Sequence, residues 1–146
     1  MRILIKNLQR QRPLNKKRIA QVARSILSLM GKDKAELSIL FVNDKRMLML
    51  NHQYRGINKS TDVLSFEVDI PLSDYQRGIL GDVVINVNKV EEQADISGVG
   101  FYDELYRLLI HGILHLIGYD HEDSRYRAGL MRKREREIFN AIKKVY

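Results

Sequence analysis

The apolar positions of the chain follow two spacings, one typical of strands and one typical of helices. Four short apolar runs predict strands at 2–6, 37–42, 63–68 and 79–85. Apolar residues three and four apart predict five helices. The expected starts, in chain order, are near Pro13, at an N-cap of Asn43 or Asp44, at an N-cap of Asn88, near Tyr102 and after Asp123. The order β-α-β-α-β-β-α-α-α predicts an α+β fold of the α/β sandwich type. We expect one mixed four-stranded sheet packed with about five helices.

The length and composition fit one cytoplasmic domain that spans residues 1–146. The chain has no cysteine, which excludes disulfides and thiolate zinc sites and suits a reducing compartment. No segment reaches the roughly 18 consecutive apolar residues needed to cross a bilayer. Residues 1–6 alternate rather than form the apolar centre of a secretory signal. We therefore expect no membrane association.

The charge balance is basic, with a formal net charge of +7. A positive surface concentrates anionic partners such as nucleic acids or phosphates. Many of the basic residues fall near the first and last predicted helices, at Arg10, Arg12, Lys16, Lys17, Arg18, Arg125, Arg127, Arg132, Lys133, Arg134 and Arg136. They could contact RNA phosphates or simply form solvated helix faces, with Glu135 and Glu137 pairing locally. The sequence leaves both interpretations open.

Three of the four histidines lie close together, at positions 111, 115 and 121. His111 and His115 are four residues apart in the predicted helix 102–117, a spacing that places both imidazoles on one face. Gly118 can end that helix with a reversal, and the reversal can return His121 to the same point. Three nitrogens can then bind one metal at roughly 2.0–2.1 Å and leave a fourth position for water, as in catalytic zinc sites.

The histidine spacing predicts one zinc ion, or another divalent metal, and a metal-dependent hydrolase. Bound zinc lowers the pKa of its water to about 7, so hydroxide becomes available near neutral pH. Asp120 could orient a histidine, act on the substrate side as an acid, or only form the turn. The same spacing overlaps the zinc-protease pattern H-E-x-x-H-x-x-G-x-x-H, but Gly112 replaces the glutamate that serves as general base there. Peptide hydrolysis is therefore disfavoured.

The segment 111–121, HGILHLIGYDH, resembles the signature H-G-x-L-H-L-x-G-Y-D-H of the YbeY family of bacterial endoribonucleases. Two further blocks are similar to conserved blocks of that family. One runs from Asn51 to Phe66 and contains Tyr54-Arg55-Gly56, and the other is Leu80-Gly81-Asp82-Val83. Their order and spacing cover most of the chain.

The resemblance implies a zinc-dependent hydrolase of single-stranded RNA, with the metal site at the end of a long helix. It implies a role in small-subunit rRNA maturation and ribosome quality control, with the small ribosomal subunit or assembly factors as partners. The implied metal ligands are His111, His115 and His121. The family's functionally important arginine corresponds to Arg55, so Arg55 and His111 are the expected catalytic residues.

Physical chemistry agrees with a substrate-binding role for Arg55, because a guanidinium can hold a phosphate through two parallel hydrogen bonds. Thr61 and Asp62 are expected to fix the loop that carries Arg55 through side-chain bonds to the backbone. Asp82 follows Gly81 inside an apolar run, and structural support is its expected role.

Two other functions fit the same residues. The chain could hydrolyse another bond, in a peptide or a small phosphoester. It could also be a non-catalytic RNA-binding assembly factor with a structural metal. Structural zinc sites are usually closed by four protein ligands, so a three-histidine set speaks against the second alternative.

Overall fold

The computed structural model describes residues 2–67, 79–119 and 124–146. Within them lie four strands: β1 (Arg2–Asn7), β2 (Glu36–Val42), β3 (Val63–Glu67) and β4 (Ile79–Asn86). The same residues form five helices: α1 (Lys16–Leu29), α2 (Asp44–Arg55), α3 (Val87–Ser97), α4 (Phe101–Ile117) and α5 (Arg125–Val145). The predicted α+β fold with one mixed sheet is confirmed.

The strands form one four-stranded sheet in the order β1-β2-β4-β3. β1 and β4 each pair with β2 in parallel, whereas β3 pairs with β4 in antiparallel orientation. β3 is therefore an edge strand, and β4 separates it from β2. Val83, Val84 and Ile85 of β4 are all buried, which confirms the prediction that this strand is covered on both faces.

The two faces of the sheet carry cores of different size. On the larger face, Ile39, Val83 and Ile85 pack in one cluster with apolar residues of α1, α4 and α5. On the other face, a small cluster contains Met47 of α2 with Val42, Leu64 and Val84. Because side chains alternate along a strand, neighbouring residues of β3 and β4 point to opposite cores. This alternation decides which residues of β3 face α4.

Several predicted helix ends shift when the capping contacts are known. α1 begins at Lys16 rather than at Pro13, because the Asn15 side chain accepts a hydrogen bond from the backbone N–H of Arg18. α3 is capped by Asn86 and not by Asn88: the Asn86 side chain accepts bonds from the backbone N–H groups of Asn88 and Lys89. The sequence offers two asparagines there, and only the packing selects the first.

Some predictions fall outside the described residues. These are Val68, the last residue of the predicted third strand, and Asp123, near which the last helix is predicted to begin. In the part of the chain that is described, α5 begins at Arg125 after an N-cap at Ser124. None of the described helices combines the length and the apolar character needed to cross a membrane.

Replacement of Gly81 by alanine is expected to destabilise the fold strongly. Gly81 has a φ of 139°, and a Cβ there would overlap the carbonyl oxygen of Phe66 on β3. Backbone strain alone costs about 1–3 kcal/mol, and the overlap adds to it. Urea unfolding of Gly81→Ala should therefore show a loss of free energy of unfolding above that range.

The matched control for this substitution is Gly31→Ala. Gly31 also has a positive φ, of 69°, but a Cβ added at Gly31 would meet no atom of the described residues within 4 Å beyond its chain neighbours. Only the left-handed backbone penalty of about 1–2 kcal/mol applies there. Equal losses for the two variants would contradict the close approach of β3 and β4 at Gly81.

Candidate functional site

α4 carries both described histidines of the candidate site. Asp103 and Glu104 lie in its first turn, where their negative charge interacts favourably with the helix dipole. Gly118 caps the other end with a φ of 116°. His111 and His115 lie one turn apart near that end, with their ring centroids 4.7 Å apart. Their Nε2 atoms are separated by 3.1 Å. The predicted convergence of two imidazoles on one face is therefore present.

Gly112 brings α4 unusually close to the sheet. Its carbonyl oxygen accepts a hydrogen bond of 2.9 Å from the hydroxyl of Ser65 on β3. A Cβ on Gly112 would lie 2.7 Å from Cγ1 of Val83 and 3.3 Å from Cγ2 of Val63. Position 112 therefore faces the strands. The zinc-protease glutamate could not fit at this position without moving the helix or the sheet.

Glu135 of α5 contacts the histidine pair from a third element. Its Oε1 lies 2.7 Å from Nδ1 of His111, and both side chains are largely buried. Glu135 thus makes a contact outside its own helix, whereas Glu137 pairs locally with Arg134. Sequence reasoning missed this contact because the two residues lie on separate helices. The available signal was an acidic residue in a strongly basic helix.

A cleft of about 670 Å³ runs between α4 and the edge strand β3. His111 and His115 line one wall, and residues 61–65 with Glu67 line the other. Arg55, exposed at the end of α2, lines the same cleft. The structure thus brings together the predicted arginine and two of the three predicted histidines. An extended polyanion in this cleft could contact Arg55 and the histidines at once.

Buried amides fix the segment that connects α2 to β3. Asn51 donates from Nδ2 to the carbonyl oxygen of Lys59 at 2.8 Å. Asn86, which is fully buried, donates from Nδ2 to Asp44 Oδ1, to the Ser60 hydroxyl and to the Thr61 carbonyl oxygen. These two asparagines were not predicted to support the site. Each breaks an apolar pattern at a position that proves to be buried.

Asp62 and Asp82 occupy different surroundings. Asp62 lines the cleft, where its Oδ1 accepts from the backbone N–H of Val63 and its Oδ2 accepts from Gln93. Asp82 pairs with Phe66 in the sheet and alternates with Val83, so it lies on the face away from α4. His121 and Asp120, the third predicted ligand and a predicted supporting residue, lie outside the described residues.

The two histidines have a separation that suits a shared metal ion. Two nitrogens that bind one tetrahedral zinc at roughly 2.0–2.1 Å are ~3.3 Å apart, close to the 3.1 Å found between the Nε2 atoms. The hydrogen bond from Nδ1 of His111 to a carboxylate is a common feature of histidine ligands. In the described ranges, no three His, Cys, Asp or Glu side chains are grouped to hold an ion. The donors that are described fit a zinc ligand set that needs at least one more donor.

Some of the predicted basic residues make contacts within the fold. The Arg12 guanidinium lies 3.7 Å from the centroid of the Phe101 ring. Arg18 donates to the carbonyl oxygen of Tyr146, and Arg134 donates to that of Leu29. These three residues join distant parts of the chain, so a solvated helix face is not their whole role.

Comparison with known proteins identifies relatives across nearly the whole chain. The family model described as Endoribonuclease YbeY matches residues 4–143. A protein of that name from Persephonella marina is 41% identical over 145 residues, which cover 99% of this chain and 95% of the relative. One from Petrotoga mobilis is 39% identical over 143 residues, covering 97% and 96% of the two chains.

A solved structure also resembles the fold. The solution structure of a Thermotoga maritima protein matches with a TM-score of 0.66 and 26% identity, and covers 96% of this chain and 88% of that one. The relatives and the cleft together define the class of protein, a hydrolytic nuclease. Within that class, the chain belongs to the Endoribonuclease YbeY family.

Replacement of Gly112 by alanine is expected to destabilise the protein, although alanine normally favours a helix over glycine by about 1 kcal/mol. The reason is the 2.7 Å approach that the new methyl group would make to Val83. Thermal unfolding should show a lower Tm for Gly112→Ala. Gly129→Ala on α5 is the control, because its nearest neighbour is the flexible end of Arg132 at 4.0 Å. A higher Tm for Gly112→Ala would contradict the tight contact.

Asp44 is expected to contribute to stability in a pH-dependent way. Hydrogen bonds from Ser60, and next from Asn86, hold the pKa of the Asp44 carboxyl below its usual value. A lowered pKa in the folded state adds stability above the unfolded pKa, and the gain is lost as the pH falls through the folded value. Asp44→Asn should therefore unfold at lower urea than wild type near pH 7. The difference should shrink below about pH 4.

The control for Asp44→Asn is Asp95→Asn, an exposed position on α3. It should unfold at nearly the same urea concentration as wild type at either pH. A difference between Asp44→Asn and wild type that did not shrink on acidification would contradict a role for the ionised carboxylate.

Proposed function

We propose that this chain is a single-strand-specific, zinc-dependent endoribonuclease that acts in small-subunit rRNA maturation and ribosome quality control. The endoribonuclease activity is supported by family membership over residues 4–143. The observation that carries the proposal is the shared cleft, which Arg55 and the pair His111 and His115 line together. In such a cleft, the Arg55 guanidinium, which can bind a phosphate, lies near two imidazoles that can bind a metal.

The proposed zinc ligands are His111, His115 and His121. When bound, a zinc ion would supply Lewis-acid activation of a phosphodiester and of a water molecule. The protein contributes the remaining effects. Arg55 would hold a phosphate beside the histidines, and two parallel hydrogen bonds from its guanidinium would orient that phosphate in the cleft.

The surroundings of Arg55 support this positioning role. Its side chain is exposed at the end of α2, where Gly56 adopts a φ of 69° and redirects the chain. The following segment is tied down by Asn51 and Asn86. Arg55 is thus a long, exposed side chain on a fixed backbone, which suits capture of a phosphate from a flexible strand.

A single strand suits the cleft because the histidines are recessed. Both imidazoles are partly buried between α4 and β3. A phosphodiester must enter the cleft to reach them, and an unpaired strand can bend its backbone inward more readily than a duplex. The net charge of +7 would add affinity for RNA without sequence choice. We propose that the substrate is met in the cytoplasm, on or near the small ribosomal subunit or its assembly factors.

The peptide alternative loses support from the position of Gly112. The glutamate base of zinc proteases would have to occupy a position that faces Val83 and Val63. The structural-metal alternative is opposed by the cleft that the described residues form beside His111 and His115, since structural zinc sites are usually closed by four protein ligands. Among residues 2–67, 79–119 and 124–146, no specific contact favours either alternative.

The proposal predicts that Arg55→Ala and His115→Ala lose RNA cleavage. Removal of one charged donor that stabilises a transition state costs about 10²–10³ in rate, so we expect this loss for Arg55→Ala. His115→Ala should fall to background. The measurement is single-turnover cleavage of a fluorescent single-stranded RNA by zinc-loaded protein, with an RNA duplex and casein as competing substrates.

The matched control is Arg46→Ala, an exposed arginine on the same helix that does not line the cleft. It should cleave single-stranded RNA at the wild-type rate. A chelator should abolish wild-type cleavage, and added zinc should restore it. Full activity of His115→Ala on RNA, or casein cleavage that depends on His115, would overturn the proposal.

A further inference from the structure

Glu135 is the nearest described carboxylate to the histidine pair, and it belongs to neither wall of the cleft. It lies on α5, and its Oε1 is 2.7 Å from Nδ1 of His111. Only 19% of the Glu135 side chain and 25% of the His111 side chain are exposed. A short contact between two largely buried polar groups is strong and directional, because little water competes for either atom.

The contact with Glu135 bears on which ring nitrogen of His111 carries the proton. An ionised carboxylate only accepts hydrogen bonds, so Nδ1 of His111 must donate. In the neutral imidazole, Nε2 of His111 then carries a lone pair. That Nε2 faces Nε2 of His115 at 3.1 Å, on the side where a shared ion would lie. A carboxylate that accepts from Nδ1 of His111 therefore favours the tautomer of His111 that can bind a metal.

Arg107 on α4 supplies positive charge close to Glu135. Arg107 lies one turn before His111 on α4 and makes two-pronged hydrogen bonds to the buried Glu104. These bonds are the largest cause of a raised pKa of Arg107, and the negative charges of Glu104, Asp62 and Glu135 raise it further. Arg107 is therefore a permanent cation close enough to Glu135 to interact with its carboxylate.

We propose that Glu135 is a positioning residue of the metal site, which fixes the ring orientation and the tautomer of His111. This inference rests on the proposed function, since it takes His111 to be a metal ligand. Glu135 makes no contact with the ion or the RNA in this role. It acts through His111, as carboxylates behind histidine ligands do in zinc proteins.

The first test measures zinc affinity by competition with a chromogenic chelator. Glu135→Gln keeps the shape of the side chain but removes its charge and adds a donor. Loss of such a partner typically weakens metal binding by about 10–100-fold, and we expect a loss in that range. Glu137→Gln is the matched control, because Glu137 lies two residues away on α5 and pairs with Arg134 on the surface. It should bind zinc as wild type does.

The second test observes the zinc-free protein directly. Long-range ¹H–¹⁵N correlation spectra distinguish the two neutral tautomers of a histidine. His111 should carry its proton on Nδ1 in wild type and in Glu137→Gln. In Glu135→Gln the amide can donate as well as accept, so the Nε2–H form should become populated. A residue that only joined α4 to α5 would change Tm without moving this signal.

Two further variants keep the outcomes distinct. Glu135→Asp retains the charge with a shorter reach, and should recover part of the affinity lost in Glu135→Gln. His111→Ala should lose most zinc affinity if His111 is a ligand. Wild-type zinc binding by His111→Ala would overturn the proposed site itself. Weak binding by His111→Ala together with a change of less than about threefold in Glu135→Gln would overturn only the role of Glu135.

Discussion

The contact between α4 and the sheet at Gly112 is the constraint on which the candidate site depends. The helix can approach β3 and β4 only because residue 112 has no side chain, and the Ser65 hydroxyl fastens the carbonyl oxygen of Gly112 at 2.9 Å. This contact sets the height of His111 and His115 above the edge strand. Arg55 and the two histidines line the cleft beside this contact. The candidate site therefore depends on where α4 places the two histidines, and not only on their being histidines.

Local patterns were sufficient to predict most of the fold. The apolar runs of β2 and β4, and the helical spacing in α1 and α4, reflect burial that is repeated along each element. Helix starts were less predictable, because adjacent residues such as Asn86 and Asn88 have the same capping chemistry. Asn86 serves as the cap since its side chain also reaches Asp44, Ser60 and Thr61. That choice depends on three segments meeting, which no local pattern contains.

In the candidate site, too, the features within one helix were predictable from the sequence, and the contacts between elements were not. The spacing of His111 and His115 within one helix was readable, because the geometry of a helix fixes their relation. The place of Arg55 came from a family resemblance, and the shared cleft agrees with it. For Glu135, the basic neighbours in sequence indicate only that pairing within the last helix is possible. Its contact with His111 depends on how α5 crosses α4, which the sequence does not display.

The position of β4 in the sheet determines when, during folding, the cleft between Arg55 and the histidines can form. Arg55 is synthesised well before His111, yet the two can line one cleft only after β4 has inserted between β2 and β3 and α4 has docked over it. A growing chain that has made α2 and β3 holds only half of the site. The cleft that Arg55 shares with the histidines is therefore complete only after α4 has been synthesised and has packed against the sheet.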